Sequence, residues 1–216
     1  RLYDATSNAE ASDLSTQTNL VGSQTLVLSG TGIIASRDVG SNKTVSVGTL
    51  TLADGSNGGL AANYTLSGGT HQLTVTQRPL NSSGSKSYDA NTDALANAIT
   101  LSNLAGGETL VHSGTASTSS ANAGSYTINN LAGIGISNGT GTASNYTLTG
   151  GTHSFTINRR VVSLSGGSRQ YNGSATAIAA DLPTINNLVG SETLTLSGNG
   201  VVENANVGDN KPLTNL

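Results

Sequence analysis

One segment of this 216-residue chain is written three times. Leu20-Val-Gly-Ser-Gln-Thr-Leu26 returns as Leu104-Ala-Gly-Gly-Glu-Thr-Leu110 and again as Leu188-Val-Gly-Ser-Glu-Thr-Leu194, at offsets of 84 and 84 residues. Tyr3-Asp4-Ala5 returns as Tyr88-Asp89-Ala90 and Tyr171-Asn172-Gly173, at offsets of 85 and 83. A chain with this period is built by stacking or stringing one unit, so its function is expected to belong to the array. Units of about 80 residues are large enough to be domains. Three are expected, at 1–79, 80–160 and 161–216.

The period must be reconciled with a poor supply of core residues. Hydrophobic side chains make up 35% of the chain, with one Phe and no Trp, Met or Cys. Each unit therefore has a thin core of Leu, Val, Ile and Ala and is expected to lean on its neighbours. Regular apolar alternation and only 10% charge argue against the disorder that Gly, Ser and Thr richness would otherwise suggest. The net charge of -3 arises from 12 acidic and 9 basic side chains scattered singly, so no basic stripe exists to track nucleic-acid phosphates. No apolar run approaches the roughly 18 residues of a membrane-spanning helix. Absence of Cys removes disulfides, thiolate zinc sites and thiol catalysis together.

Overlaying the copies gives a strand grammar. Leu73–Thr76 and Phe155–Asn158 open it, followed by Gly/Ser turns at Ser82–Ser85 and Ser165–Ser168. A basic residue, a spacer and the Tyr come next, at Arg1, Lys86 and Arg169. The Leu-x-Gly-x-x-Thr-Leu segment reads as a hairpin in which Gly22, Gly106 and Gly190 take positive φ, for example between strands Ile99–Leu101 and Thr109–Val111. Thr44–Val47 and Leu50–Leu52 alternate with period two, as half-buried strands should. The unit closes on Asn63–His71, matched at eight of nine positions by Asn145–His153. No window carries a helical stripe, and Ala94–Ala98 or Ala175–Ala180 could form one turn at most. These short strands predict an all-β chain: a tandem repeat of small antiparallel β-sandwich (Ig-like) domains. The alternative is a β-grasp-like unit, with a sheet curled over one short helix. A β-solenoid would repeat every ~20–30 residues and fits the period badly.

With these motifs in hand, the chain resembles the YDG-type and related MBG-type repeats of filamentous-haemagglutinin-like bacterial surface adhesins, exported by two-partner secretion. Arg1 to Ala5, Lys86 to Ala90, the Leu-x-Gly-Gly/Ser-x-Thr-Leu segment and Asn-Tyr-Thr-Leu-x-Gly-Gly carry the resemblance. Tyr171-Asn172-Gly173 departs from it by replacing the Asp. The resemblance implies an extracellular stalk on a Gram-negative surface, holding a functional tip at a distance or joining a biofilm matrix. The first copy lacks the strand before Tyr3, and Leu216 aligns with Leu131, so a longer array is expected around this segment.

Candidate sites are few. Tyr3, Tyr88, Tyr171, Tyr64 and Tyr146 recur and are read as structural plugs, each ring filling a thin core and its hydroxyl finding a partner at a junction. Tyr126 falls outside the pattern and is expected to be the exposed ring able to stack on a sugar. Asp4 and Asp89 are expected to cap turns, with Ca²⁺ between domains as the competing reading. His71, His153 and His112 have no acidic or His partner nearby in sequence, as a metal site would need, and are read as structural or surface residues. No Gly-x-Ser-x-Gly elbow, phosphate loop or metal motif stands out, so no enzyme and no cofactor are expected. A Lys–Asn crosslink would need Lys43 or Lys86 buried beside a carboxylate and is set aside. Asn-x-Ser/Thr triplets at Asn42, Asn63, Asn81, Asn138, Asn145 and Asn172 follow from composition. The function expected is a structural spacer, contacting neighbouring repeats of its own chain. The alternatives are a module binding exopolysaccharide or host-surface glycan, and a self-associating fibre subunit.

Overall fold

A computed structural model describes residues 1–14, 16–128, 131–165, 167–182 and 184–214. The described residues are all-β, with several small sheets and, among them, five single 3-10 turns, at Ala11–Asp13, Ala61–Asn63, Ala96–Ala98, Ala143–Asn145 and Ala179–Asp181. Two compact units are present. The first comprises Arg1–Gly84, Asp93–Thr118 and Tyr126–Phe155, and the second Ser85–Thr92, Ser119–Ser125 and Thr156–Leu216.

In the first unit a four-stranded antiparallel sheet runs Asn8–Glu10, Thr31–Ile34, Gly40–Ser46, Gln72–Val75. Alternation decides its inner face: Leu73 and Val75 are buried while Gln72 and Thr74 are exposed. Leu26–Ser29 pairs separately with Thr51–Asp54. Leu110–Ser117 lies between Ile134–Asn138 and Asp93–Leu95 in a three-stranded sheet. A second four-stranded sheet has the order Ile99–Ser102, Asn81–Ser87, His153–Asn158, Gly124–Thr127. In the second unit Ser163–Ser165 pairs with Thr184–Asn186, and Asn199–Val202 lies between Thr176–Ile178 and Leu213–Thr214.

The copies share registers as well as sequence. Ala9 faces Gly32, Ala94 faces Ala116 and Ala177 faces Gly200, and all four alanines are buried. The longest of these strands shows how one strand serves two partners. Leu110–Gly114 pairs with Ile134–Asn138, and from Thr115 onward the same strand pairs with Asp93–Leu95. The pivot is Gly114, at φ 101°. Gly30 (φ 86°) and Gly198 (φ 92°) stand at the same place in the other copies.

The hairpin expected in the Leu-x-Gly-x-x-Thr-Leu segment is not one. Ile99–Ser102 pairs with Asn81–Gly84, whereas Leu110–Ser117 pairs with Ile134–Asn138 and Asp93–Leu95. The segment between them is a connection from one sheet to another. Two strands flanking a Gly turn look like a hairpin locally, but long-range pairing takes both away from each other. The turn expected at Ser165–Ser168 contains Gly166, which lies outside the described residues.

The first unit's core joins residues of two copies. Tyr3, Ile34, Val45, Leu73 and Val75 of the first copy cluster with Leu80, Ala105 and Tyr146 of the second. Each large side chain so buried contributes roughly 1.5–3 kcal/mol. Sharing them compensates for the scarcity of apolar residues in each copy.

Candidate functional site: a tyrosine lock between repeats

The buried carboxylate of Glu108 is the centre of a polar cluster that joins two copies. Glu108 precedes Thr109 in the middle copy of the sheet-to-sheet connection, where Gly106 (φ 57°) turns the chain. Tyr3 Oη donates to its Oε1 at 2.8 Å, and Tyr146 Oη donates to its Oε2 at 2.7 Å. The two rings meet edge to face, with centroids 5.4 Å apart and planes at 78°. Ala105 N–H donates to Tyr146 Oη at 3.0 Å. The half-exposed Arg37 lies 3.1 Å from Oε1, completing the carboxylate's set of partners. A buried carboxylate is tolerable only when so satisfied.

Two further contacts fasten the same junction. Asn145, fully buried, donates from Nδ2 to Asp38 Oδ1 at 2.8 Å and accepts Val39 N–H at 2.9 Å. The hydrogen bond from Asn145, followed by that from Ser36, holds the Asp38 carboxyl below its ordinary range. Arg78 donates to the backbone oxygen of Asn103 (2.7 Å), to its Oδ1 (2.8 Å) and to Tyr3 O (3.4 Å).

This arrangement recurs. In the second unit Tyr88 Oη donates to Glu192 Oε1. Arg160 donates to Asn187 O, Asn187 Oδ1 and Tyr88 O, as Arg78 does to Asn103 and Tyr3. Asn103 and Asn187 both take positive φ, at 65° and 70°. In the first copy Tyr64 Oη donates to Gln24 Oε1 at 2.5 Å. Gln24, Glu108 and Glu192 thus fill one slot of the repeated connection, and every one of them receives a tyrosine hydroxyl. The signature Tyr of one copy reaches the acidic slot of the next copy, while the Tyr of Asn-Tyr-Thr-Leu reaches the slot of its own.

The residues around the signature Tyr shape its turn. Asp4 Oδ1 accepts Thr6 N–H, Asp89 Oδ1 accepts Asn91 N–H, and Asn172 Oδ1 accepts Ser174 N–H. The following residues, Ala5, Ala90 and Gly173, have φ of 66°, 62° and 75°. Asn can therefore replace Asp here without loss of the turn. The basic residue folds over it: Arg1 donates to Thr6 O, Lys86 to Asn91 O and Arg169 to Ser174 O, five residues ahead in each case. Arg1 and Lys86 also pair with Asp4 and Asp89. Partial burial opposes ionisation of both carboxyls, but the hydrogen bonds from Arg1 and Lys86 outweigh it, and both titrate below the ordinary range.

Tyr3, Tyr146, Tyr64 and Tyr88 sit at locks, the first two buried and the others half-buried, whereas Tyr171 is 67% exposed. Gly22, Gly106 and Gly190 have φ of 58°, 57° and 56°. A Cβ at Gly106 would stand 3.0 Å from Ala5 Cβ, so this turn also lets the connection lie against the Tyr-Asp-Ala turn. Tyr126 is not the exposed ring expected of a sugar platform. It is half-buried on Gly124–Thr127, where strand alternation turns it inward, and it has a partner of its own. His71 and His153 each hydrogen-bond a carbonyl five residues back, Leu66 O and Leu148 O. His112 meets the carbonyls of Ala96 and Ile99. Among the described residues, no three His, Asp or Glu side chains gather as a metal ion would require. No helix among them is long and apolar enough to cross a membrane. Gln24, Glu108, Glu192, Arg78 and Arg160 were invisible as site residues until the fold placed them. For the first three the signal is a variable position occupied by Glu or its amide in all three copies.

Burial first, and then the hydrogen bond to Glu108, raises the Tyr3 hydroxyl to about 12. Burial likewise raises Tyr146. The folded chain then keeps the Tyr3 proton after the unfolded chain has released it. The lock's contribution is complete below pH 10 and is lost as pH rises from 10 through 12. Urea midpoints measured across that window are expected to fall, and Tyr3→Phe to flatten the fall.

Recurring sheet connections, shared cores and interlocking signature residues define a tandem β-repeat protein whose most developed site is the joint between copies. The YDG domain family matches residues 1–73, 70–154 and 158–216, and the chain belongs to that family. No curated protein and no solved structure matched the chain in the corresponding comparisons.

Proposed function

We propose that this chain is part of the stalk of a large secreted bacterial adhesin, a structural spacer on a Gram-negative surface or in a biofilm matrix. It works without catalysis or cofactor. The observation that carries this reading is the tyrosine lock, which joins Tyr3 of one copy to Glu108 of the next and Tyr88 to Glu192. A spacer needs joints that hold, and here the most elaborate chemistry is spent on joints. The resemblance of the repeated motifs to adhesin repeats supplies the surface setting. The fold expected for each repeat is an Ig-like sandwich. In its support, the second copy's strands fall into a four-stranded and a three-stranded sheet.

The test is a glycan array, including matrix polysaccharides, probed with the folded chain with and without calcium. No specific binding is expected. A defined glycan bound at micromolar affinity, and released by Tyr126→Ala or Tyr171→Ala, would replace the spacer with a polysaccharide-binding module.

A further inference from the structure

The second copy begins and ends on neighbouring stretches that run in the same direction. Its opening stretch is Arg78–Pro79 and Asn81–Ser87, and its closing stretch is Tyr146–Thr147 and His153–Asn158. Tyr146 pairs with Arg78 and Thr147 with Pro79 in parallel register, and Leu80 N–H donates to Thr147 O at 2.8 Å. Farther along, Ser82 N–H donates to Thr152 O within the first unit, and Tyr88 N–H donates to Asn158 O within the second, both at 2.9 Å. In both bonds the acceptor lies 70 residues ahead of the donor, a constant offset that only strands of one direction give. The first copy repeats the pairing inside the first unit. Leu2 faces Thr76 in parallel, Tyr3 N–H donates to Thr76 O and Thr76 N–H donates to Arg1 O, both at 2.9 Å. The closing strand of one copy leads almost directly into the opening stretch of the next, Gln72–Val75 into Arg78–Pro79 and His153–Asn158 into Ser163–Ser165. These parallel pairs therefore lie on the path of the chain itself.

We infer that this parallel pair is a tension clamp, through which a copy resists being pulled open along the chain. Tension reaches the second copy at Arg78 and draws the opening stretch toward its N-terminal end. It leaves at Asn158 and draws the closing stretch toward its C-terminal end. Because the stretches are parallel, these pulls slide one past the other, and the hydrogen bonds between them lie across the slide. The bonds share the load and must fail together. Antiparallel strands would receive both pulls at one end of the ladder, which would open one bond at a time. Side chains add bonds near the end where tension enters. Asn81 Oδ1 accepts Thr152 N–H at 2.9 Å, and Ser82 Oγ and His153 Nδ1 are hydrogen-bonded at 3.0 Å. A Cβ at Gly151 would stand 1.7 Å from Leu80 O, so glycine is what lets the two stretches close here. The inference deepens the spacer reading and rests on it only for the source of the tension; the resistance follows from the strand directions.

The experiment is single-molecule force spectroscopy on the full chain, pulled in two directions. The chain has no Cys of its own, so handles attach only where Cys is introduced. One form carries handles at its two termini. The other carries them at Ser83→Cys and Ser154→Cys, exposed positions on the two strands, and is first checked for an unchanged fold by circular dichroism. Ser87→Cys with Asn158→Cys, exposed at the other end of the ladder, gives a second lateral geometry. At one pulling speed, the terminal direction is expected to need at least about twice the force of either lateral direction to release the second copy. That event is recognised by a contour-length gain of roughly 25 nm, the reach of residues 81–158 less their folded span. Equal forces in the two directions, or a stronger lateral one, overturn the inference. A defined glycan bound in the array would replace the spacer reading and leave this directional difference in place, so the two failures are distinguishable.

Discussion

Glu108→Ala is expected to lower the unfolding free energy by about 4 kcal/mol, read from urea denaturation followed by circular dichroism. The substitution removes the acceptor of two tyrosine hydroxyls at once, in a place where Tyr3 and Tyr146 are buried. A hydrogen bond to a charged group is worth about 1.5–3 kcal/mol, and a buried polar group left without a partner costs its full desolvation. Arg37 adds little, since it is half-exposed and screened. Glu108→Gln should cost only about 1–2 kcal/mol, because Gln24 shows that an amide oxygen can take a tyrosine hydroxyl. The lock is distinguished from mere core packing by a double-mutant cycle with Tyr3→Phe. A coupling of about 1 kcal/mol or more is expected, and a coupling near zero would mean that the two residues stabilise the chain separately.

Gly114→Ala is expected to be comparably severe, at more than about 3 kcal/mol. Two causes add. The backbone sits at φ 101°, a conformation that side-chain-bearing residues rarely adopt, and a Cβ there would lie 1.9 Å from the carbonyl oxygen of Gly133. That oxygen is the acceptor for Thr115 N–H, the last bond to the Ile134–Asn138 side as the strand changes partner. Amide exchange at Thr115 should therefore accelerate more than at Val111, at the strand's other end. Gly107→Ala is the control: its φ is also positive, at 72°, but nothing lies within 4 Å of an added Cβ. It should cost only about 1 kcal/mol.

The sequence made the period, the β class and the turn glycines legible, because each rests on a local rule. Alternation at Gln72–Val75 and at Gly106 the need for positive φ can both be read from a few neighbours. What escaped reading depends on partners distant in the chain. Ile99–Leu101 and Thr109–Val111 flank a turn, and nothing local says that their pairing partners are Asn81–Ser87 and Ile134–Asn138. Glu108 stood in a position that varied among Gln, Glu and Glu, and its importance lies in Tyr3, 105 residues away. Tyr126 has no counterpart in the other copies, yet lack of recurrence says nothing about which way a strand residue faces. The recurrence of a tyrosine was the better guide, since a ring kept at one register was a ring kept against a partner.

The pairing of a Tyr from one copy with an acidic slot in the following one also bears on how such a chain changes length over generations. Every copy carries both a donor and an acceptor, so insertion or loss of one full period by unequal recombination leaves each newly adjacent pair matched. An insertion of any other length would separate a tyrosine from its turn or an acceptor from its connection. Genes for arrays of this kind are therefore free to expand and contract in whole steps of about 84 residues, and are held to those steps by the chemistry of the joint.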